Sequence, residues 1–299
     1  MWHALRPMRA RLIAALLRGL AALPLGWNRH LASAVGWLLT VLPNALRRHG
    51  AVNIRLCLPE LDARARRRLL NRSIVETCRT AFEAGPLWLW PEARIRPLMG
   101  EALDVEAVDA AVRAGRGVIL ATPHLGSWEM AGHFCALRWG ITNLYRPPRV
   151  PELDALIRRG RERLGARMAA TDARGIRRLY QALSAGEVIG ILPDQDPGDD
   201  GGVFAPFFGV PANSMVLLGR LARKTGAAVF FGFCERLPGT QGYRFHFLPA
   251  PDGIADPDPA VAAAAMNRGV EACVRRCPEQ YQWGYRRFRT RPPGAAKIY

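Results

Sequence analysis

Three short runs, "GVILAT" (117–122), "VIGIL" (188–192) and "AAVFFGFC" (227–234), carry almost no polar side chain to alternate with the apolar ones. A strand with one wet face alternates, so runs of this kind belong to strands buried within a layered core. Between them lie stretches with helical spacing. From Ser127 onward Trp128, Ala131 and Cys135 recur at three and four. Pro151 opens a helix through Leu164, "IRRLYQALSAG" ends at Gly186, and "MVLLGRLARKTG" ends at Gly226. "ITNLY" (141–145) adds a strand, "YRFHFLPA" alternates as an edge strand would, and a last helix spans about 259–276. Upstream, "RARRRLLNRSIVETCRTAFEAGPLWLW" predicts a helix ending near Gly85–Pro86. Strands alternating with helices specify an α/β fold, with a central mostly parallel or mixed sheet flanked by helices. With 299 residues and 49% hydrophobic content the chain can bury a large core. No Pro/Gly/Ser linker divides the body, which predicts one domain over 51–299 behind a helical segment at 1–50.

That first segment is apolar but interrupted. A membrane-crossing helix needs about 20 apolar residues in a row. Here Arg18 breaks the first run, and Pro24 with Asn28, Arg29 and His30 separates it from the second. At helical spacing Leu12, Leu16, Leu20 and Leu23 share a face while Arg11 and Arg18 lie elsewhere. Two arrangements fit: a helix lying in the membrane interface with its basic side toward anionic headgroups, and two amphipathic helices packed on the globular body. Arg18 inside the apolar stretch, with no small-residue cleavage site after it, argues against a cleaved signal peptide.

Charge is unevenly spread. The net charge is +17, and thirteen arginines fall in residues 1–72 against Glu60 and Asp62 alone. Such a surface attracts phosphates, whether of nucleic acid, anionic lipid or an acidic carrier protein, and it is also compatible with a plain solvated basic face. The six cysteines form neither a C-x-x-C pair nor a zinc-finger spacing, which predicts reduced, mostly buried thiols. No helix-turn-helix, finger or RNA-recognition pattern supports a nucleic-acid-binding protein.

The chemistry concentrates in "ATPHLGSWEMAGHF" (121–134). His124 follows a buried strand immediately, and Glu129 opens the next helix. Open α/β sheets place ligand sites at the carboxyl ends of strands. Gly126 allows close backbone approach, and a helix N-terminus favours developing negative charge. A neutral imidazole can take a proton from an attacking hydroxyl while a carboxylate holds its other nitrogen. Two alternatives stay open at this point: an ordinary strand-to-helix turn, and a metal site including His133, although His124–Glu129 spacing is not H-E-x-x-H.

"HLGSWE" resembles the H-x-x-x-x-[D/E] block of the glycerolipid and lysophospholipid acyltransferase superfamily, and more narrowly the late lauroyl/myristoyl acyltransferases of lipid A synthesis. Five further blocks are similar in the same order. They are "VNIRLCLPEL" (52–61), "LYRPPRVPELDALIRRGRERLG" (144–165), "GILPDQDP" (190–197), "GVFAPFFGVPA" (202–212) and "PEQYQWGYRRFRTRP" (278–292). Leu58 departs from the family's common phenylalanine, and Gly284–Tyr285 from its apolar–histidine pair. The stretch "DPGDDGG" (196–202) is unusually acidic, as a mobile lid or a solvated loop.

The resemblance implies acyl transfer from a thioester to a lipid hydroxyl, with His124 as base and Glu129 as its partner. It implies substrate contacts at Gly126, Arg146, Asp194 and Gln195, and a pocket element at Phe207, Gly209 and Pro211. Arg146 and backbone N–H groups near Gly126 would stabilise the oxyanion. Glu279, Trp283 and Arg287 are as readily structural as functional. The implied donor is acyl carrier protein and the implied acceptor a phosphorylated glycolipid, at the cytoplasmic face of the inner membrane. The enzyme would be held there peripherally or by a single N-terminal anchor. No metal or other cofactor is implied. Acylation of another glycolipid or an ornithine lipid is the alternative within the superfamily.

Overall fold

A computed structural model describes residues 6–148, 150–198 and 201–299. Helices α1 (Arg6–Ala22), α2 (Leu25–Val41), α3 (Ala45–Cys57), the long α4 (Ala63–Leu89) and the short α5 (Glu92–Ile95) come first. The layered part follows as β1 (Met99–Leu103), α6 (Val105–Arg113), β2 (Val118–Ala121), α7 (Trp128–Trp139), β3 (Thr142–Tyr145), α8 (Asp154–Glu162), β4 (Arg167–Ala170), α9 (Ala173–Ser184) and β5 (Val188–Ile191). A hairpin of β6 (Gly202–Phe207) and β7 (Val210–Met215) precedes α10 (Leu217–Thr225), β8 (Ala228–Arg236), β9 (Tyr243–Pro249) and α11 (Pro259–Arg276).

Seven strands form one sheet in the order β1-β9-β8-β2-β5-β3-β4. Strands β8, β2, β5, β3 and β4 run parallel, while β9 is antiparallel to β8 and carries β1 parallel to itself. The fold is therefore α/β with a mostly parallel sheet, as the alternation predicts. All four residues of both β2 and β5 are buried, consistent with their unbroken apolar runs. One prediction is corrected: "YRFHFLPA" is not at the edge. β9 lies between β8 and β1, and β1, whose "MGEAL" has no strong strand pattern, takes the edge.

The chain leaves β2 and crosses to β3, skipping a place that β5 later fills. Loops after β2, β5 and β3 consequently converge on the switch point where such sheets bind ligands. Helices α6, α7 and α8 cover one side. Helices α9, α10 and α11 with the β6–β7 hairpin bury the other around Leu179, Leu221, Met266 and Phe207.

Helix α4 does not stop at Gly85–Pro86 but runs on to Leu89. Pro86 has no N–H to donate to the carbonyl of Phe82, which in a helix interior normally forbids it. Asn28 of α2 supplies the missing donor, its Nδ2 lying 3.2 Å from Phe82 O. At Gly85 a Cβ would come within 2.6 Å of Leu17 O, so glycine lets α1 cross α4 in close contact. Pro91 likewise leaves Leu87 O without its helical partner, and His133 Nε2 donates to it at 2.8 Å.

Helices α1 and α2 thus pack on α4 through Leu17, Leu20, Leu25 and Ala32. Arg29 goes further in. Its Nε donates to Glu83 at 2.8 Å, and Arg236 of β8 reaches the same carboxylate with Nε at 2.9 Å and Nη2 at 2.8 Å. Arg236 also bonds Glu76 and Thr80. Burial opposes ionisation of Glu83, but the charges of Arg236 and Arg29 hold its carboxyl below the usual range. Breaking one side of a buried pair leaves an uncompensated charge, at about 3–5 kcal/mol. Glu83→Gln is expected to lose that much in urea unfolding, whereas Glu83→Met combined with Arg29→Met and Arg236→Met, which leaves neither guanidinium facing a missing carboxylate, should lose less than Glu83→Met alone. A loss under about 1 kcal/mol for Glu83→Gln would show that the network contributes little.

Candidate active site

His124 sits three residues beyond β2, in a loop tied down on every side. Its backbone N–H donates to Asp194 Oδ2 at 2.9 Å, and its carbonyl accepts from Gln282 N at 3.0 Å. Gly126 N donates to Gln280 O at 3.1 Å and Ser127 N to Cys234 O at 2.8 Å. Thr80 Oγ1, itself bonded by Arg236, donates to Gly126 O at 3.2 Å. Gly126 has φ +64°, and a Cβ there would lie 1.9 Å from Cys234 O, so no other residue fits the turn.

The partner of the imidazole is Asp194, not Glu129. His124 Nδ1 lies 2.7 Å from Asp194 Oδ1, in the loop after β5. With Nδ1–H donated there, Nε2 carries the lone pair and accepts from Gln195 Nε2 at 3.2 Å. Burial opposes ionisation of Asp194, but the His124 ring and backbone N–H hold the carboxyl below its ordinary value. Tyr281 is buried against the same carboxylate, and burial with that charge keeps its phenol protonated. The edge of His124 meets Trp128 at 5.1 Å between ring centroids.

Glu129 is engaged elsewhere. Its carboxylate accepts from Trp88 Nε1 at 2.8 Å and from Arg161 Nε at 3.0 Å, with a second bond from Arg161 Nη2. Burial opposes its ionisation, while the Arg161 charge and these bonds hold its pKa down. The five-residue spacing from His124 turns its side chain toward α4 and α8 rather than back to the imidazole. No expectation from spacing named Arg161 or Trp88. "ELDALIRRGRERLG" offers several arginines, and only packing against Trp88 selects one.

A cavity of about 670 Å³ opens beside this group. His124, Glu129, Arg146, Arg161 and Gln195 line it, so four of the residues singled out in sequence meet there with Asp194 directly behind His124. Arg146 makes no ion pair with any described residue and remains exposed at the rim. Gly126 is expected to lend its N–H to an oxyanion, but that N–H is bonded to Gln280 O. Phe207, Gly209 and Pro211 are not on the cavity wall. Phe207 packs with Tyr281 and Phe288, and Phe208–Gly209 form the hairpin turn with φ +49° and +75°. Val203 and Met215, at the base of the same hairpin, reach the cavity instead.

The carboxyl-terminal block has packing partners throughout. Asn53 Nδ2 donates to Trp283 O at 2.7 Å and Tyr285 O at 2.6 Å. Trp283 is buried, Arg287 bonds Asn213 O and Ser214, and Tyr285 OH receives the N–H of Asp196. Asp196 in turn accepts from Gly198, Asn213 and Thr290, which anchors the first part of the acidic stretch. Asp199 and Asp200 of that stretch lie outside the described residues. Glu279 shows no such bond among the described residues. All six cysteines are free and buried, as their spacing predicts.

The family model for bacterial lipid A biosynthesis acyltransferases matches residues 2–290. The chain belongs to that family. It is 34% identical over 254 residues to a lipid A biosynthesis palmitoleoyltransferase of Escherichia coli K12, covering 83% of this chain and 80% of the relative. It is 32% identical to a lauroyltransferase of that organism, with the same coverage. A myristoyltransferase, also from Escherichia coli K12, is 25% identical over 95% of this chain and 88% of its own. The chain is accordingly an acyltransferase, as the collinear blocks imply.

The depressed carboxyls of Glu83, Asp194 and Glu129 link stability to pH. Their contribution is fully present above the ordinary carboxyl values of about 4 and is lost as pH falls through the lower folded values. Resistance of the acyltransferase to urea unfolding is expected to fall below about pH 4, and Asp194→Asn should remove part of that slope. An identical slope in the variant would mean that Asp194 titrates alike in the folded and unfolded chain.

Proposed function

We propose that this acyltransferase moves a fatty acyl group from an acyl-carrier-protein thioester to a hydroxyl of a phosphorylated lipid A precursor. The observation that carries the mechanism is the Asp194–His124–Gln195 line at the cavity wall. The acceptor hydroxyl displaces the Gln195 amide and donates to His124 Nε2. As that oxygen attacks the thioester carbonyl, Nε2 takes its proton, and Asp194 stabilises the imidazolium without itself becoming protonated. Arg146 and the freed Gln195 amide face the developing oxyanion, in place of the engaged loop N–H groups. The tetrahedral intermediate collapses, the carrier leaves as a thiol, and His124 returns the proton to its sulfur. Glu129 acts through Arg161, fixing a cation in the cavity wall.

His124→Ala and Asp194→Asn should each lower acyl transfer by about 10²–10⁴. The double variant should be scarcely worse than His124→Ala, because the two act as one unit. Losses that multiply would remove Asp194 from the relay. Glu129→Gln should instead behave like Arg161→Met, and a Glu129–His124 pair that fails to add would restore the direct dyad.

The membrane surface is the proposed workplace. No described helix is long and apolar enough to cross a bilayer. The packed α1–α2 pair nevertheless exposes Leu12, Leu16, Trp27, Leu31, Trp37 and Val41, with Trp27 71% and Trp37 66% exposed. Leu20, expected on that face, is buried against α4. A large exposed apolar patch beside Arg11 and Arg18 suits an anionic lipid interface. Deleting the segment would strip Arg29 from Glu83, so point changes are the better probe. Trp27→Ser with Trp37→Ser should reduce sedimentation with anionic phospholipid vesicles at least tenfold while circular dichroism is unchanged. Equal sedimentation would place the membrane contact elsewhere.

A further inference from the structure

Helices α9 and α10 present a cationic face that the proton relay does not use. Arg174, Arg177 and Arg178 of α9 and Arg220, Arg223 and Lys224 of α10 are exposed and free of ion pairs with any described residue, and neither helix contains an Asp or Glu. Asp172, just before α9, is turned to the helix start, where it accepts from Gly175 N at 2.7 Å. Recurrence at three and four puts the cations of each helix on its outer side, because Leu179, Leu183, Leu218 and Leu221 take the buried side. The two rows adjoin, with Lys224 Nζ 5.7 Å from the centre of the Tyr180 ring.

The cavity reaches the head of this face. Ile176 of α9 and Arg220 of α10 line it together with His124. Helix α9 follows directly from β4 and α10 leads into β8, and both strands run parallel with β2, so both helices start at the sheet edge that carries His124. We infer that the α9–α10 face is the docking surface for the acyl carrier protein, an acidic partner whose acyl-bearing arm enters the cavity past Ile176 and Arg220. The inference rests on the carrier thioester proposed above as donor. Strands β5 and β3 separate β2 from β4. Three spacings of about 4.8 Å therefore put the imidazole roughly 14 Å along the sheet edge from the start of α9. At ~1.3 Å per bond an extended arm of about eleven bonds covers that distance, and a carrier's phosphopantetheine arm is longer.

Charge and placement both favour a protein over a lipid surface here. Neither helix carries an exposed large apolar side chain, which a helix lying in a bilayer interface needs. The exposed tryptophans stand on α2, which packs with α1 on α4, whereas α9 packs on β3, β4 and β5 and α10 on α11. A donor must also leave after every turnover. Exposed charges of one sign suit that, since they speed the encounter with an oppositely charged partner and add less to its residence. The face is therefore matched to a small acidic protein that comes and goes while α1 and α2 stay on the membrane.

The test compares two donors bearing the same acyl group, a carrier thioester and a pantetheine thioester without protein, using the full chain with a lipid A precursor in detergent. Arg178→Glu with Arg223→Glu should raise KM for the carrier thioester about tenfold or more while kcat stays within about twofold. The same variant should use the pantetheine thioester as the wild type does, which also shows that it is folded. Arg178→Gln with Arg223→Gln should give a smaller rise. Raising salt from about 0.05 to 0.5 M should erode the wild-type preference for the carrier and leave that of the Glu variant nearly unchanged. Arg113→Glu with Arg116→Glu, an equal change of charge at exposed positions outside the two helices, is the control. A rise no larger than in that control, an equal loss with the pantetheine donor, or a rise confined to KM for the lipid acceptor would overturn the docking surface and leave carrier-dependent transfer intact. A wild-type enzyme that takes acyl groups from pantetheine or coenzyme A thioesters but not from the carrier would overturn the donor itself, and the docking surface with it.

Discussion

Glu83 has no exposed surface, and two guanidinium groups from opposite ends of the chain converge on it. Neither charge could remain buried without the other, so α2, α4 and β8 must arrive together. The consequences reach the site directly. Arg236 holds Thr80, Thr80 holds the carbonyl of Gly126, and Gly126 lies two residues from His124. The backbone of Arg236 also exchanges two bonds with the side chain of Gln280, whose carbonyl receives Gly126 N–H. A helical segment that looks like a detachable appendage in sequence is thereby part of what aims the imidazole.

The same bonding also occupies the loop around Gly126. From His124 to Ser127 every backbone N–H already has a partner in the protein. The rigidity that fixes His124 consumes the donors that a looser turn would offer. Arg146 is exposed at the cavity, whereas Arg161 is paired with Glu129 and Asp194 with His124. Asp194 bonds the imidazole, and Glu129 the Arg161 guanidinium.

Much of the fold was legible because buried parallel strands leave unbroken apolar runs. β2, β5 and β8 stand where "GVILAT", "VIGIL" and "AAVFFGFC" predict them. β1 was not, since "MGEAL" becomes a strand only by pairing with β9. The end of α4 was misplaced because Pro86 breaks a helix unless something else satisfies Phe82 O, and that donor, Asn28, is 54 residues away. At the site His124 was recognisable from its place after a buried strand, and Asp194 and Gln195 from their block after another. Their roles were not. A five-residue spacing from His124 to Glu129 suggests a pair, but residue spacing carries no information about which way a side chain turns at a helix start.

What the sequence by itself determined is the layered α/β architecture, the position of His124 at the carboxyl end of a central strand, and membership in an acyltransferase family through six collinear blocks. Periodicity and local motif order are properties of neighbours along the chain, and they survive without coordinates. The tertiary structure decided the rest: which carboxylate bonds His124, which arginine bonds Glu129, and where β9 stands in the sheet. Each of these depends on a contact between segments far apart in sequence. Such contacts are selected by burial and hydrogen-bond satisfaction across the whole core, not by any local pattern.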